Sequence, residues 1–208
     1  MIEMPYLKIV FDHVISFLYS GKMEFGDLSL AELLQLETLV RLMMLEAASE
    51  ATSQYIAHST THSGFTLAET IKAMDLTYVY ALDTSKQNLL RFLNENLRET
   101  CQLSEFLQLP VWIMKDLMLK TSGSLPYDRL SALVCWLEEE GNAMEPEDIT
   151  TIRDTFHLSH FSTKDILGLV RKSNIFSQDL IIEALSNVIK TKDESLAVMT
   201  ATDFGLPQ

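Results

Sequence analysis

Four of the five histidines in this chain of 208 residues fall in two close pairs, and the spacing within each pair would suit metal binding. His58 and His62 are four residues apart, and His157 and His160 are three apart. Either spacing places two imidazoles on one face of a helix, as a metal site requires. No cysteine or third histidine accompanies either pair at the spacing of a metal motif. Surface histidines are the simpler interpretation, and we expect no bound metal or other cofactor.

The sequence lacks the short motifs of the common enzyme classes. It has no G-x-S-x-G nucleophile elbow, no glycine-rich phosphate loop and no H-E-x-x-H zinc motif. The two cysteines, Cys101 and Cys135, have no base beside them in the sequence. Cys135 precedes Trp136 in an apolar stripe, which indicates a small buried hydrophobic residue. We therefore expect a protein without enzymatic activity.

The chain is acidic, with a formal net charge of −13 at pH 7. Nucleic acid and anionic membrane surfaces attract lysine and arginine, so this charge argues against both as partners. Six acidic side chains form a patch around Gly141: Glu138, Glu139, Glu140, Glu145, Glu147 and Asp148. Solvated helix ends explain such a patch, because the second group suits a helix N-terminus. A basic partner is the alternative.

Composition also bears on the cellular compartment. Two cysteines are too few for a disulfide framework, and a reduced intracellular compartment is the simplest fit. The N-terminus lacks the basic region of a signal peptide, and no window of about 18 uninterrupted apolar residues predicts a transmembrane helix. We expect a cytoplasmic protein, with the nucleus as a second location.

Helix start signals divide the chain into helical segments. Ser29 with Glu32 and Thr66 with Glu69 form capping boxes, and apolar residues follow each box at helical spacing. Only 7 glycines and 5 prolines argue against a loop-rich or all-β fold. We predict an all-α fold of helical hairpins packed in an array, without a detectable sequence repeat. Further helix starts are predicted at Thr38, Pro110, Pro126, Pro146, Ser162 and Ser177.

Methionine and leucine supply much of the predicted core. By their spacing we assign most of them to buried helix faces, including Met43, Met44, Met114 and Met118. An incomplete domain would leave some of this apolar surface exposed. Exposed apolar patches recruit partner proteins, so this surface bears directly on function.

The stretch Leu89 to Pro110, LLRFLNENLRETCQLSEFLQLP, carries the first family resemblance. Phe92, Leu93 and Asn96, followed after a gap by the run Glu105 to Pro110, resemble the core of the BACK domain. That domain is the helical module that follows BTB/POZ domains. The resemblance implies that one long helix ends here, the chain turns, and another helix begins.

A second resemblance lies near the N-terminus. The phrase from Phe11 to Met23, FDHVISFLYSGKM, followed by a leucine-rich helical region, resembles the C-terminal half of a BTB/POZ domain. The strands and the dimerising first helix that precede this phrase in the family have no counterpart in this sequence. The resemblance therefore implies a homodimer only where the missing half of the domain is present.

Together the two resemblances imply a domain organisation for the whole chain. Residues 1–57 correspond to the C-terminal part of a BTB/POZ domain, and residues 58–65 to a polar linker. Residues 66–190 correspond to a BACK domain without kelch repeats after it. Residues 191–208, which lack periodicity, are predicted to form a mobile tail.

The resemblance implies a protein-interaction module. Proteins of this family are commonly substrate adaptors of cullin-3 RING ubiquitin ligases, so a cullin-3 scaffold and an unknown client protein are the implied partners. Part of the family's cullin-binding surface would lie upstream of Met1. Four positions expected to be exposed are the implied partner contacts: Glu37, Arg41, Thr66 and Lys72. The alternative is a non-catalytic scaffold, or a truncated protein of this family, that does not bind cullin.

Overall fold

The computed structural model describes residues 8–26, 28–62, 64–120, 123–139 and 141–203, with side chains described as far as Lys190. Within these residues every regular element is helical, which confirms the predicted all-α fold class. The chain forms two compact units, Met1–Gly123 and Ser124–Gln208. None of the helices in the described ranges combines the length and apolar character needed to cross a membrane.

Eight α-helices make up the described part of the first unit. They are α1 (Lys8–Ser20), α2 (Leu30–Leu42), α3 (Glu46–Thr61), α4 (Leu67–Val79), α5 (Asp83–Glu95), α6 (Leu97–Thr100), α7 (Ser104–Leu107) and α8 (Val111–Leu119). Gly21 follows α1 with φ 68°, a left-handed conformation that glycine adopts without the clash of a Cβ atom. This glycine therefore ends the helix.

Helices α2 to α5 form two hairpins that repeat each other's geometry. Capping boxes at Ser29 and at Thr66, which lie 37 residues apart, begin α2 and α4, and both helices have 13 residues. The same spacing separates Met44 from Ala81, the residues with positive φ that follow the two helices. Only short matches, such as L-A-E after each cap, mark this repeat in the sequence. The structure therefore shows a structural repeat that was not predicted from the sequence.

The two hairpins stack on each other within the first unit. α2 packs on α3 and α4, and α5 packs on α3 and α4, so equivalent helices are neighbours. Fully buried apolar side chains fill the space between them and below α8: Leu33, Leu34, Leu36, Val40, Ile56, Met74, Leu89, Leu93, Met114 and Met118. Burial of such side chains is the main favourable term for this fold.

The second unit has its own core. Its elements are α9 (Pro126–Glu138), α10 (Pro146–Arg153), a 3₁₀ turn (Leu158–His160), α11 (Thr163–Asp165) continuing as a π-helical turn (Ile166–Val170), and α12 (Gln178–Asp203). The core is built on Trp136 and is completed by apolar side chains that are fully buried: Leu130, Leu133, Ile152, Ile166 and Val170. The predicted caps at Ser162 and the prolines at the starts of α9 and α10 are confirmed.

Several local predictions need correction. Thr38 begins no helix, because it lies inside α2, where its hydroxyl donates to the Leu34 carbonyl at 2.8 Å. Residues 58–61, predicted as the start of a linker, belong to α3. α12 continues through residues 191–203, where no periodicity was expected, and residues 204–208 lie outside the described part of the chain. The assignment of domains by family, and the mobility of the tail, stay predictions.

Thr66→Ala is expected to lower the free energy of unfolding of the first unit by about 1 kcal/mol. The Thr66 hydroxyl accepts from the Glu69 backbone N–H at 3.2 Å, and the Glu69 carboxylate accepts from the Thr66 N–H at 2.9 Å. The backbone bond, and then the hydrogen bond that the Thr66 hydroxyl donates to the same carboxylate at 2.7 Å, lower the pKa of Glu69. Urea denaturation followed by circular dichroism, with Thr66→Ser as the control, measures the loss.

The pH dependence of the stability loss in Thr66→Ala follows from the direction in which the pKa of Glu69 is shifted. Because the folded-state pKa of Glu69 is lowered, the stabilisation is present above the unfolded pKa of about 4.3 and is lost as pH falls through the folded pKa. The difference in the free energy of unfolding between the natural chain and Thr66→Ala should therefore become smaller in acid. A difference that widens below that pH would contradict the role of the carboxylate.

Candidate interaction surface

The two equivalent turns of the hairpins form one apolar edge of the first unit. We call residues 41–46 and 79–83 the turn edge. Arg41 links its two halves, because its Nη1 donates to the Ala81 carbonyl at 3.3 Å. Four apolar side chains on this edge are exposed, by fractions between 40% and 87%: Leu42, Met43, Met44 and Val79. The assignment of Met43 and Met44 to the core is therefore wrong, whereas that of Met114 and Met118 is confirmed.

Equivalent backbone hydrogen bonds give both turns the same conformation. The N–H of Leu45 donates to the Val40 carbonyl at 2.9 Å, and that of Leu82 donates to the Thr77 carbonyl at 2.9 Å. These bonds close a Schellman-type helix end, which needs a left-handed residue just before the donor. Met44 and Ala81 fill that position, although a left-handed conformation costs a residue with a side chain about 1 kcal/mol. Hydrogen bonds on both sides keep each turn rigid.

Acidic side chains surround the apolar tips of the turn edge. Arg41, Met44, Glu46 and Glu50 line a concavity of about 530 Å³ on the α3 side. Asp83 lines a neighbouring concavity that also contains Arg41. Asp83 pairs with Lys86 at 3.6 Å, whereas Glu46 and Glu50 outnumber the Arg41 guanidinium, so the negative part of the rim lies on the α3 side of the edge. Such an arrangement suits a partner whose surface is apolar and basic.

Glu37, expected to be an exposed partner contact, is buried, with 3% of its surface accessible. Its carboxylate accepts from the Ser53 hydroxyl at 2.7 Å and from the Ser85 hydroxyl at 2.5 Å. The side chain thereby joins α2 to α3 and α5. Glu37 lies on the same helix stripe as Leu33 and so occupies a core position, a signal that the sequence contained. Burial makes it a structural residue, and the expectation that Glu37 is exposed is wrong.

The other predicted contacts are exposed but are not brought together. Arg41 lies on the turn edge, whereas Thr66 caps the opposite end of α4, about 20 Å away by the rise of that helix. Lys72 lies between them and pairs with Glu105 on α7 at 3.1 Å. A backbone hydrogen bond, and then Lys72, lower the pKa of Glu105. The four residues therefore do not form one site.

A half-buried polar cluster links α4, α5 and α8. The Tyr78 hydroxyl donates to the Asp116 carboxylate at 2.8 Å, and the Lys86 ammonium lies 4.9 Å from the centre of the tyrosine ring. Burial, and then the hydrogen bond to Asp116, raise the pKa of Tyr78. The phenol therefore stays protonated at neutral pH and acts as a donor that joins the helices.

The histidine pairs are close in space, as their spacing predicts. The rings of His58 and His62 stack with centroids 4.0 Å apart, and those of His157 and His160 are 5.6 Å apart. Among the described residues, no group of three or more His, Cys, Asp or Glu side chains is arranged to hold a metal ion. Cys101 and Cys135 do not form a disulfide, and Cys135 is partly exposed where a buried residue was expected.

Helix α1 presents a second exposed apolar face. Val10 and Val14 are buried, and α1 packs against α2. Phe11, Ile15 and Leu18 follow one another at helical spacing on another face, with exposures of 38%, 37% and 51%. This face adds to the apolar surface that the first unit offers to partners.

An all-α array with exposed apolar turns is typical of a protein-interaction module. No protein-family model matches the chain. The chain is similar to BTB/POZ domain-containing protein 9 of Bos taurus, with 22% identity over 187 residues. The protein of the same name from Homo sapiens is 21% identical over the same length. Each match covers 89% of this chain but 29% of the relative, so the chain spans less than a third of the relatives' length.

These similarities support a distant relation to BTB/POZ-domain proteins, and with it a role in protein interaction. They extend over most of the chain and so include both compact units. The finer resemblance of residues 66–190 to a BACK domain stays a prediction. So does the absence of kelch repeats from this protein.

Proposed function

We propose that this chain is the substrate-adaptor component of a cullin-3 RING ubiquitin ligase. The turn edge, with Leu42, Met44 and Val79 exposed around Arg41, is the observation that carries the proposal. Its rigid turns offer a preformed apolar surface, and preformed surfaces lose little conformational entropy on binding. The resemblance to BTB-BACK proteins supplies the identity of the partner, and the distant relation to BTB/POZ-domain proteins supports it.

In this proposal the protein has no catalytic activity of its own and holds a client protein near the ligase. It works in the cytoplasm, and also in the nucleus. The acidic rim of the turn edge favours a basic protein surface and repels nucleic acid and anionic membranes. A homodimer forms where the missing half of the BTB domain is present.

The second candidate is a scaffold that binds other proteins without cullin. The exposed face of α1 favours it, because Phe11, Ile15 and Leu18 provide an apolar surface separate from the turn edge. A scaffold and an adaptor differ in one measurable property, which is the affinity for the cullin-3 N-terminal domain.

Isothermal titration calorimetry of the purified chain with the N-terminal domain of cullin-3 tests the adaptor proposal. A dissociation constant in the micromolar range or below is expected. Leu42→Asp and Val79→Asp, each at a position at least 66% exposed, should weaken binding tenfold or more without loss of helix content. Each carboxylate would require desolvation in an apolar contact.

Ile182→Asp is the matched control, because Ile182 is 61% exposed but lies in the second unit. Its affinity for cullin-3 should equal that of the natural chain. Light scattering during size-exclusion chromatography gives the stoichiometry. A folded chain that does not bind cullin-3 would reject the adaptor proposal in favour of the scaffold.

A further inference from the structure

The second unit contains a groove of about 510 Å³ that the proposed function does not use. One wall is a stripe of α12 with helical spacing, formed by Leu180, Glu183, Ala184, Asn187 and Val188. The opposite wall is the segment that leads from the end of α10 into the 3₁₀ turn. We call this cleft the α12 groove. The stripe spans eight residue steps, or about 12 Å at the helical rise, which is long enough for two turns of a second helix.

Apolar side chains form the floor of the α12 groove. Phe156 and Phe176 pack edge to face with ring centroids 6.2 Å apart, and each is less than 8% exposed. Ala184 provides a small side chain on the helical wall, which leaves space above the rings. Behind the floor, the Arg129 guanidinium lies 4.7 Å from the centre of the Phe156 ring and donates to Thr155 at 2.8 Å. The floor is therefore rigid and apolar.

The charges that line the groove are arranged asymmetrically. Arg153 donates two hydrogen bonds to the Asp154 carboxylate, at 2.9 and 3.1 Å, so this pair is internally neutralised. Glu183 is exposed on the helical wall and forms no ion pair with another described residue, and the remaining titratable side chain of the lining is His157. The rim thus carries a net negative charge next to an apolar floor. This combination is complementary to an apolar segment that also carries lysine or arginine.

We propose that the α12 groove binds a short amphipathic helical segment of a partner protein. Apolar side chains at positions i and i+3 or i+4 of that segment enter the groove over Phe156 and Phe176. A lysine or arginine of the segment faces Glu183. Helices bind apolar grooves on other proteins through contacts with this spacing. The groove therefore gives the second unit a binding site of its own, independent of any cullin contact at the turn edge.

Selection of displayed random 16-residue peptides against the full chain tests this site. Fluorescence anisotropy then measures the affinity of each selected peptide for variant chains. We expect a consensus of apolar residues at helical spacing with at least one lysine or arginine. Leu180→Asp should weaken binding at least tenfold, and Glu183→Lys at least fivefold. A peptide with glutamate in place of its basic residue should bind Glu183→Lys better than it binds the natural chain.

Two control variants separate the groove from other surfaces. Ile182→Asp lies two residues from Leu180 on a different face of α12 and should change affinity less than twofold. Glu99→Lys makes the same charge change as Glu183→Lys but lies in the first unit, away from the turn edge, and should also leave affinity unchanged. Glu183 is on the surface, so its reversal tests the site without endangering the fold. The proposal would be overturned if no peptide is enriched or if the enriched peptides lack a basic residue. It would also be overturned if Ile182→Asp weakens peptide binding as much as Leu180→Asp does.

Discussion

Glu37→Ala is expected to lower the free energy of unfolding of the unit Met1–Gly123 by about 3 kcal/mol. The substitution removes the acceptor of two hydroxyl groups, those of Ser53 and Ser85. Ser85 is fully buried, so its hydroxyl loses its acceptor inside the core. Hydrogen bonds to a charged group are stronger than neutral ones, and an orphaned buried donor keeps its full desolvation cost.

Two further variants isolate the cause of this loss. Glu37→Gln keeps the shape and one acceptor oxygen, so it should lose about half as much stability, or roughly 1.5 kcal/mol. Glu50→Ala, on the exposed face of α3, removes a carboxylate that bonds Gln54 and should cost less than about 0.5 kcal/mol. Urea denaturation followed by circular dichroism measures all three. Equal losses for Glu37→Ala and Glu50→Ala would contradict a specific role for the buried carboxylate.

Trp136→Ala is expected to lower the free energy of unfolding of the second unit by about 4 kcal/mol. Trp136 is 1% exposed and is the largest side chain in that core. Its removal loses the transfer free energy of the indole and leaves a cavity between α9 and its neighbours, which relax only in part. Because a domain has only about 5–15 kcal/mol of stability, the variant should also be partly unfolded at physiological temperature.

Trp112→Ala is the matched control for this prediction. Trp112 is 50% exposed, at the start of α8 in the first unit, and its removal should cost less than about 1 kcal/mol. The chain has only these two tryptophans, so in each variant the remaining indole reports on the unchanged unit, and circular dichroism reports the loss in the other. Thermal unfolding followed by fluorescence and by circular dichroism measures both. Similar losses for the two variants would contradict the burial of Trp136.

The sequence alone determined those features that depend on neighbouring residues. Capping boxes at Ser29 and Thr66 and the glycine after α1 act through hydrogen bonds and backbone conformations within one turn of helix. Helical periodicity then fixed the all-α fold class and the burial of Met114 and Met118. Local interactions of this kind do not need a partner element, so a sequence pattern is sufficient to predict them.

Only the tertiary structure decided which polar residues are buried and which apolar residues are exposed. Glu37 belongs in the core because Ser53 and Ser85, from two other helices, supply its hydrogen bonds. Met43 and Met44 are exposed because a left-handed turn carries them beyond the helix face that their spacing indicates. Glu183 lines a groove only because the chain after α10 lies opposite α12. The stripe that Glu37 shares with Leu33 indicates a core position. The contacts that decide these outcomes join residues distant in the sequence, and no local pattern supplies those contacts.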